Sequence, residues 1–257
     1  MNASPWLQRL SGRPDAMLRL FCFHHAGGSA ASFSQWPQKL PQIDVCAVQL
    51  PGRANRYAEP AMTRIPQLVE AFLPHMLPLL DRPYALFGHS MGTAVVNEVA
   101  QRLRARGAAL PVRLFVSGRQ PPHKPYPEFT LDGLSDAAAI ESIGRIFGGL
   151  PAEVLAYPEL VEMILPILRA DFALLERYLP APQAPLPVPI VALGGSDDAC
   201  AAPDRLLPWQ DYTTHPLRMC RLPGDHFYLD ARLDDVLAVL RAECGVAEAG
   251  TPAWGVA

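Results

Sequence analysis

A single pentapeptide constrains this chain more than anything else in it. Gly88-His89-Ser90-Met91-Gly92 stands directly after an apolar run, Tyr84 to Phe87, and directly before the most regular helical stripe of the sequence. That stripe runs from Gly92 to Arg106, with Ala94, Val95, Val99 and Leu103 on one face. A G-x-S-x-G pattern in this setting forms a sharp strand-to-helix turn: the serine adopts a strained conformation, and the glycines let strand and helix approach without a Cβ clash. From the glycine and serine content of the chain, the pattern alone would occur by chance roughly 0.05 times. The strand before it and the helix after it make it specific.

The rest of the chain is read outward from that turn. Further apolar runs recur at intervals that leave room for helices: Leu18 to Phe23, Val45 to Gln49, Arg113 to Ser117, Ile190 to Leu193 and Leu217 to Leu222. Continuously apolar strands alternating with helical segments predict an α/β architecture, a mostly parallel sheet covered on both faces. Leu229 to Glu243 reads as another helix, as does Arg64 to Leu80, where Pro66 suits a first turn and Pro74 and Pro78 predict a kink or an early end. Between Phe129 and Pro180 the strand signal gives way to helical text, Ser135 to Phe147 and then Pro158 to Tyr178. We read 129–180 as a helical lid inserted in one domain spanning 1–257, because strands resume after the stiff, extended Pro-rich linker at 181–189. The tail after Gly245 is expected to fray.

Composition excludes several function classes. Apolar residues make up 50% of the 257, and 22 Lys and Arg against 25 Asp and Glu leave a net charge of −3, so neither a disordered chain nor a nucleic-acid partner is expected. The 28 prolines are scattered and form no polyproline run. Cys22, Cys46, Cys200, Cys220 and Cys244 form no C-x-x-C pair and read as buried reduced thiols. The opening residues lack the pattern of a secretory leader, and no apolar run approaches a membrane span, so a cytoplasmic, soluble protein and a monomer are expected.

A serine hydroxyl is a weak nucleophile and needs a base that is itself oriented by a carboxylate. Two later loops supply both: Leu193-Gly-Gly-Ser-Asp-Asp198 after one strand, and Pro223-Gly-Asp-His-Phe-Tyr228 after the last. His226 is the strongest base candidate of the seven histidines, since it lies between the terminal strand and the terminal helix. Asp197 and Asp198 compete for the acid. Asp225 is the poorer third, because neighbouring residues on an extended loop point apart. His24-His25-Ala26-Gly27-Gly28-Ser29 follows the first long strand, where glycines can turn backbone N–H groups toward a developing oxyanion; the residue after the nucleophile, Met91, supplies a second donor. The histidine pair has no third ligand at suitable spacing, so no metal is expected. In the lid, Ile143, Ile146, Phe147, Leu150, Ile164, Leu168, Phe172 and Leu175 exceed what a helix pair needs for its own contact, and Phe147 and Phe172 are expected to touch substrate.

Together these segments resemble the type II thioesterases of polyketide and nonribosomal peptide assembly, members of the α/β-hydrolase superfamily. The resemblance spans HHAGGSAASFSQW at 24–36, VQLPGRANRY at 48–57, PYALFGHSMG at 83–92, VSGRQPP at 116–122, LPILRADFALLERY at 165–178, GGSDDA at 194–199 and GDHFYL at 224–229. The LPGR and RADF blocks are its most specific parts. It implies Ser90 as nucleophile, His226 as base, and Ala26 and Met91 as oxyanion donors. It favours Asp198 as the acid, with Ala199 where the family usually has proline. His24 stands where the family commonly has another proline. Arg53, Arg119 and the RADF segment match family blocks without an assigned role.

The activity so implied is hydrolysis of acyl groups from the phosphopantetheine arm of an acyl or peptidyl carrier protein, clearing stalled or misprimed chains. No cofactor is needed, since the phosphopantetheine belongs to the partner. Other readings are a general acyl-CoA or ester hydrolase, an acyltransferase or cyclase with the same triad, and a non-catalytic binding protein on the same scaffold. The length without a fused carrier domain favours editing.

Overall fold

The computed structural model describes residues 4–124, 130–147, 150 and 152–246. Seven strands, β1 (Leu7–Arg9), β2 (Leu18–Phe23), β3 (Ile43–Val48), β4 (Tyr84–His89), β5 (Arg113–Ser117), β6 (Ile190–Gly195) and β7 (Arg218–Leu222), form one sheet. Their order is β1-β3-β2-β4-β5-β6-β7, parallel throughout except for β1, which pairs antiparallel with β3. The helices are α1 (Trp36–Lys39), α2 (Ile65–Met76), α3 (Met91–Ala105), α4 (Asp136–Phe147), α5 (Ala152–Leu155), α6 (Pro158–Glu176), α7 (Pro203–Leu206), α8 (Tyr228–Ala231) and α9 (Leu233–Glu243). This is the α/β-hydrolase fold.

Strands β2 to β6 read as largely apolar because each feeds two cores. Side chains alternate across a strand, so Phe21, Phe23, Leu86, Leu114, Val116 and Ile190 join the core beneath α2 and α3. Leu20, Cys22, Ala85, Phe87, Phe115, Val191 and Leu193 join the core covered by α1 and α9. There Phe87 meets Phe33 and Trp36 edge-on, with centroids 6.1 and 5.0 Å away. A third cluster, Leu131, Ala139, Ile143, Leu165, Leu168 and Phe172, holds α4 and α6 together between β5 and β6. Among the described residues no helix is long and apolar enough to cross a membrane.

Several boundaries differ from the sequence reading. β1 has three residues and no apolar run; it exists through pairing with β3 from Leu7↔Val48 to Arg9↔Cys46. Pro74 is accommodated inside α2, and the helix stops at Met76, with Pro78 in a following 3₁₀ turn. The terminal helix is two, α8 and α9, broken at Arg232 (φ −122°, ψ 33°). The helical region between β5 and β6 contains a short extra helix, α5. Phe129 and the tail from residue 247 lie outside the described residues. All five cysteines are free; Cys22, Cys46 and Cys200 are buried, whereas Cys220 and Cys244 are only half-buried.

Candidate active site

The parallel strands end at one edge of the sheet, and the chemistry gathers there, as ligand sites do in open α/β sheets. The register aligns Phe23 with Gly88, His89 with Ser117, Ser117 with Leu193 and Gly195 with Leu222. The loops leaving β2, β4, β6 and β7 therefore start side by side.

Ser90 is the turn between β4 and α3. Its backbone lies at φ +53°, ψ −112°, a region that non-glycine residues rarely occupy. Both flanking glycines are required by contact: a Cβ on Gly88 would strike the Gly92 carbonyl, and one on Gly92 would strike the Phe23 carbonyl at the end of β2. The strain is held by hydrogen bonds from Ser90 N–H to Ser117 O, 2.7 Å, and from the Thr93 hydroxyl to Ser90 O, 2.7 Å.

His226 Nε2 lies 2.9 Å from Ser90 Oγ, and His226 Nδ1 lies 2.8 Å from Asp198 Oδ2. The three residues are 5 to 6% exposed. The other Asp198 oxygen accepts the Cys200 N–H at 2.8 Å, which fixes the carboxylate in the plane that the imidazole needs. The β6 and β7 loops are brought together by backbone: Ser196 N–H donates to Leu222 O and Asp197 N–H to Gly224 O. Gly195 is needed at that seam, since a Cβ there would meet the carbonyls of Gly224 and Asp225. Asp197, by contrast, is exposed, and Asp225 accepts the Phe227 N–H and does not reach the imidazole. The geometry thus separates the two aspartates that the residues alone left open.

Two more histidines, His25 and His89, adjoin this set, and His24 precedes them in the chain. His25, His89 and His226 form a chain of ring contacts, 5.9 Å from His25 to His89 and 5.3 Å from His89 to His226. Burial pushes His24 and His89 well below the ordinary 6.5, with the charge of Arg53 adding at His24 and those of His226 and His25 at His89. Burial and then His226 lower His25 to about 4. Near neutral pH His24, His25 and His89 are uncharged. His89 Nδ1 is paired with Ser117 Oγ at 2.8 Å, which in turn meets the Tyr228 hydroxyl at 2.6 Å.

Above Ser90 lies a cavity of about 400 Å³ lined by His25, Ala26, Gly27, Ser90, His226 and Phe227 below, and by Ile143, Phe147, Leu150, Ile164, Leu168 and Phe172 above. Among the described residues, no protein acceptor takes the Ala26 or the Met91 N–H, whereas Gly27, Gly28, Ser90 and Thr93 all donate to protein groups. A metal-capable grouping also occurs here, Asp198 with Cys200 and His226, but two of its members, Asp198 and His226, already pair with each other.

The sequence model of the thioesterase domain matches residues 18–244. This chain belongs to the thioesterase domain family. A curated relative, the gramicidin S biosynthesis protein GrsT of Aneurinibacillus migulanus, is 38% identical over 229 residues, covering 89% of each chain. Among solved structures, the RedJ thioesterase from the prodiginine pathway of Streptomyces coelicolor superposes with a TM-score of 0.82 at 40% identity, covering 89% of this chain and 86% of its own. The type II thioesterase BorB from the borrelidin biosynthetic cluster gives a TM-score of 0.85 at 33% identity, covering 95% and 99%.

Of the residues singled out from the sequence of this thioesterase, Ser90, Asp198 and His226 come together, Ala26 and Met91 flank the serine in space and chain, and Phe147 and Phe172 line the cavity. Ile146 does not line it, and Leu175 lines a neighbouring cavity of about 610 Å³. Arg119, buried, contributes its carbonyl to Trp209 Nε1–H at 2.8 Å and also lines that second cavity. Sequence reasoning left Arg53 and the RADF block without a place; the structure pairs Arg53 with Asp171. Their only signal was that two charges sat in the most specific blocks of the chain.

Proposed function

We propose that this thioesterase hydrolyses acyl thioesters presented on the phosphopantetheine arm of a carrier protein, with Ser90 as nucleophile, His226 as general base and acid, and Asp198 as its orienter. The observation that carries this reading is the line of contacts from Ser90 Oγ through His226 to Asp198, 2.9 and 2.8 Å, at the floor of an apolar cavity.

Ser90 Oγ attacks the thioester carbonyl carbon while its proton passes to His226 Nε2. The carbonyl oxygen gains the charge and accepts hydrogen bonds from the Ala26 and Met91 N–H groups; Met91 is the first residue of α3, so the helix dipole adds there. Collapse of this intermediate breaks the C–S bond, and His226 returns the proton to the departing sulfur. Water then gives a proton to His226 and attacks the acyl-serine carbonyl; collapse breaks the C–Oγ bond, His226 returns the proton to Ser90 Oγ, and a carboxylic acid leaves. These steps use side chains, backbone and water, with no cofactor. The helical segment over the cavity serves as a lid that shields the acyl-enzyme from bulk water.

The carrier-bound substrate is supported by the pathways in which the relatives take part, gramicidin S, prodiginine and borrelidin biosynthesis. A comparison of one acyl group on a carrier protein, on CoA and on N-acetylcysteamine tests the reading. We expect kcat/KM to be at least ~10-fold higher on the carrier, the equivalent of about 1.4 kcal/mol of added transition-state binding. Equal efficiency on all three would leave a general thioesterase.

A further inference from the structure

The LPGR and RADF blocks meet at the oxyanion loop. Arg53 Nη1 and Nη2 reach both oxygens of Asp171, at 2.5 and 2.7 Å, a two-pronged pair between residues 118 apart in sequence. Both side chains are buried, 4% and 0% exposed. The Asp171 oxygen Oδ2 also accepts the Gly27 N–H at 2.8 Å. Asp171 lies on α6, and Leu168, one turn earlier on the same face, fills the space beside Gly27: a Cβ there would come within 2.8 Å of Leu168 Cδ2. Gly27 itself sits at φ +76°. The far end of the loop is tied as well, since Gln49 Oε1 accepts the Ala30 N–H while Gln49 Nε2 donates to the carbonyls of Leu50 and Arg53.

The geometry points to Asp171 as a positioning residue that couples the seating of lid helix α6 to the shape of the oxyanion hole, with Arg53 as its counter-charge. The reading rests on the proposed catalytic roles of Ser90 and Ala26. Holding the Gly27 N–H fixes the peptide plane that follows Ala26, and so limits the torsions that aim the Ala26 N–H at the reacting oxygen. A bare carboxylate this close to a developing oxyanion would oppose it. The guanidinium neutralises that charge through a bidentate contact, so the carboxylate can anchor the loop without repelling the oxyanion. When α6 lifts, Leu168 and Asp171 leave together and the loop loses its anchor. Rapid hydrolysis is thereby confined to the closed arrangement.

Asp171→Asn keeps the shape and removes the charge; Arg53→Lys keeps the charge and removes the fork. The substrate is an acyl-N-acetylcysteamine thioester, so the outcome does not depend on a carrier, and rates are expressed per active site titrated. An acyl trifluoromethyl ketone, whose hemiketal oxyanion occupies the hole, provides the second readout. For Asp171→Asn we expect kcat to fall about 10- to 100-fold, less than loss of a whole oxyanion donor, with KM within about 3-fold. The ketone Ki should rise by the same factor as kcat/KM falls. Arg53→Lys should lose about 10-fold in kcat with the same parallel in Ki. A purely structural pair would lower Tm but leave kcat per titrated site and Ki unchanged, and that result for a folded Asp171→Asn overturns the coupling. If Asp171→Asn does not fold, Arg53→Lys decides by the same criterion. Ser90→Ala separates the two levels: full activity in that variant removes the catalytic reading itself, whereas an inert Ser90→Ala beside an unaffected Asp171→Asn removes only the coupling.

Discussion

The ring of Phe147 stands 5.0 Å from the imidazole of His226. It stands 5.7 Å from Phe172, and these two aromatic side chains line both the cavity that holds Ser90 and the larger one beside it. They form a shared wall between about 400 and about 610 Å³ of space. Phe147→Ala should open that wall and admit longer acyl chains. Each methylene that becomes buried contributes about 0.8 kcal/mol, roughly fourfold in kcat/KM, so three added carbons should gain about 50-fold relative to the parent enzyme. An acyl-chain series on one thiol carrier measures this, and an unchanged chain-length profile would show that Phe147 does not bound the acyl site.

Ser90→Ala should remove the nucleophile while leaving the turn intact, because the turn is held by backbone hydrogen bonds and by Gly88 and Gly92. Loss of kcat by several orders of magnitude is expected, about 10⁶-fold by comparison with other serine hydrolases, with a Tm close to that of the parent. A Ser90→Ala protein that still forms a covalent adduct with a fluorophosphonate would place the nucleophile elsewhere.

The two neighbouring aspartates should behave very differently. Asp198 is buried against His226, whereas Asp197 is exposed with its oxygen 3.2 Å from the Ser196 hydroxyl. Asp198→Asn offers the imidazole an amide that favours the wrong tautomer and leaves its charge unsupported, a change worth up to about 10⁴ in kcat. Asp197→Asn should stay within about twofold. Parallel kcat measurements on the two variants check the assignment, and a larger loss from Asp197→Asn would reverse it.

Much of this fold could be read because β2 to β6 are buried on both faces and so appear as largely apolar runs. β1 could not: three residues, Leu-Gln-Arg, depend on β3 for their hydrogen bonds and carry no pattern of their own. The break at Arg232 was hidden because residues 229–243 keep a helical rhythm of apolar positions across it. Ser90 and His226 were legible from local context, strand before and helix after. Asp198 was not separable from Asp197 by residue type, since the choice is made by how Gly195 lets the β6 loop close on Gly224. The Arg53–Asp171 pair was beyond reach for a related reason: 118 residues separate its members, and only the folded chain brings them to Gly27.

Acidification should destabilise this protein before its carboxylates titrate. His24 and His89 are buried with their pKa values well below the ordinary 6.5, chiefly through burial, and His25 is held at about 4 by burial and the charge of His226. Unfolded, each ring takes up a proton near 6.5; folded, each refuses it until the pH is far lower. The unfolded chain therefore binds more protons below 6.5, and stability rises with pH through that window. The contribution of these rings is complete above 6.5 and is lost as the pH falls toward 4. With a folded value of about 4 against 6.5 unfolded, His25 costs about 2 kcal/mol of stability at pH 5 by this linkage, and His24 and His89 act in the same direction. Calorimetric Tm values between pH 7 and pH 5 should fall steeply. His89→Asn should flatten that slope even if it lowers the plateau, because one of the titrating rings is gone. A Tm independent of pH across this range would mean that the three imidazoles gain protons as readily in the folded chain as in the unfolded one.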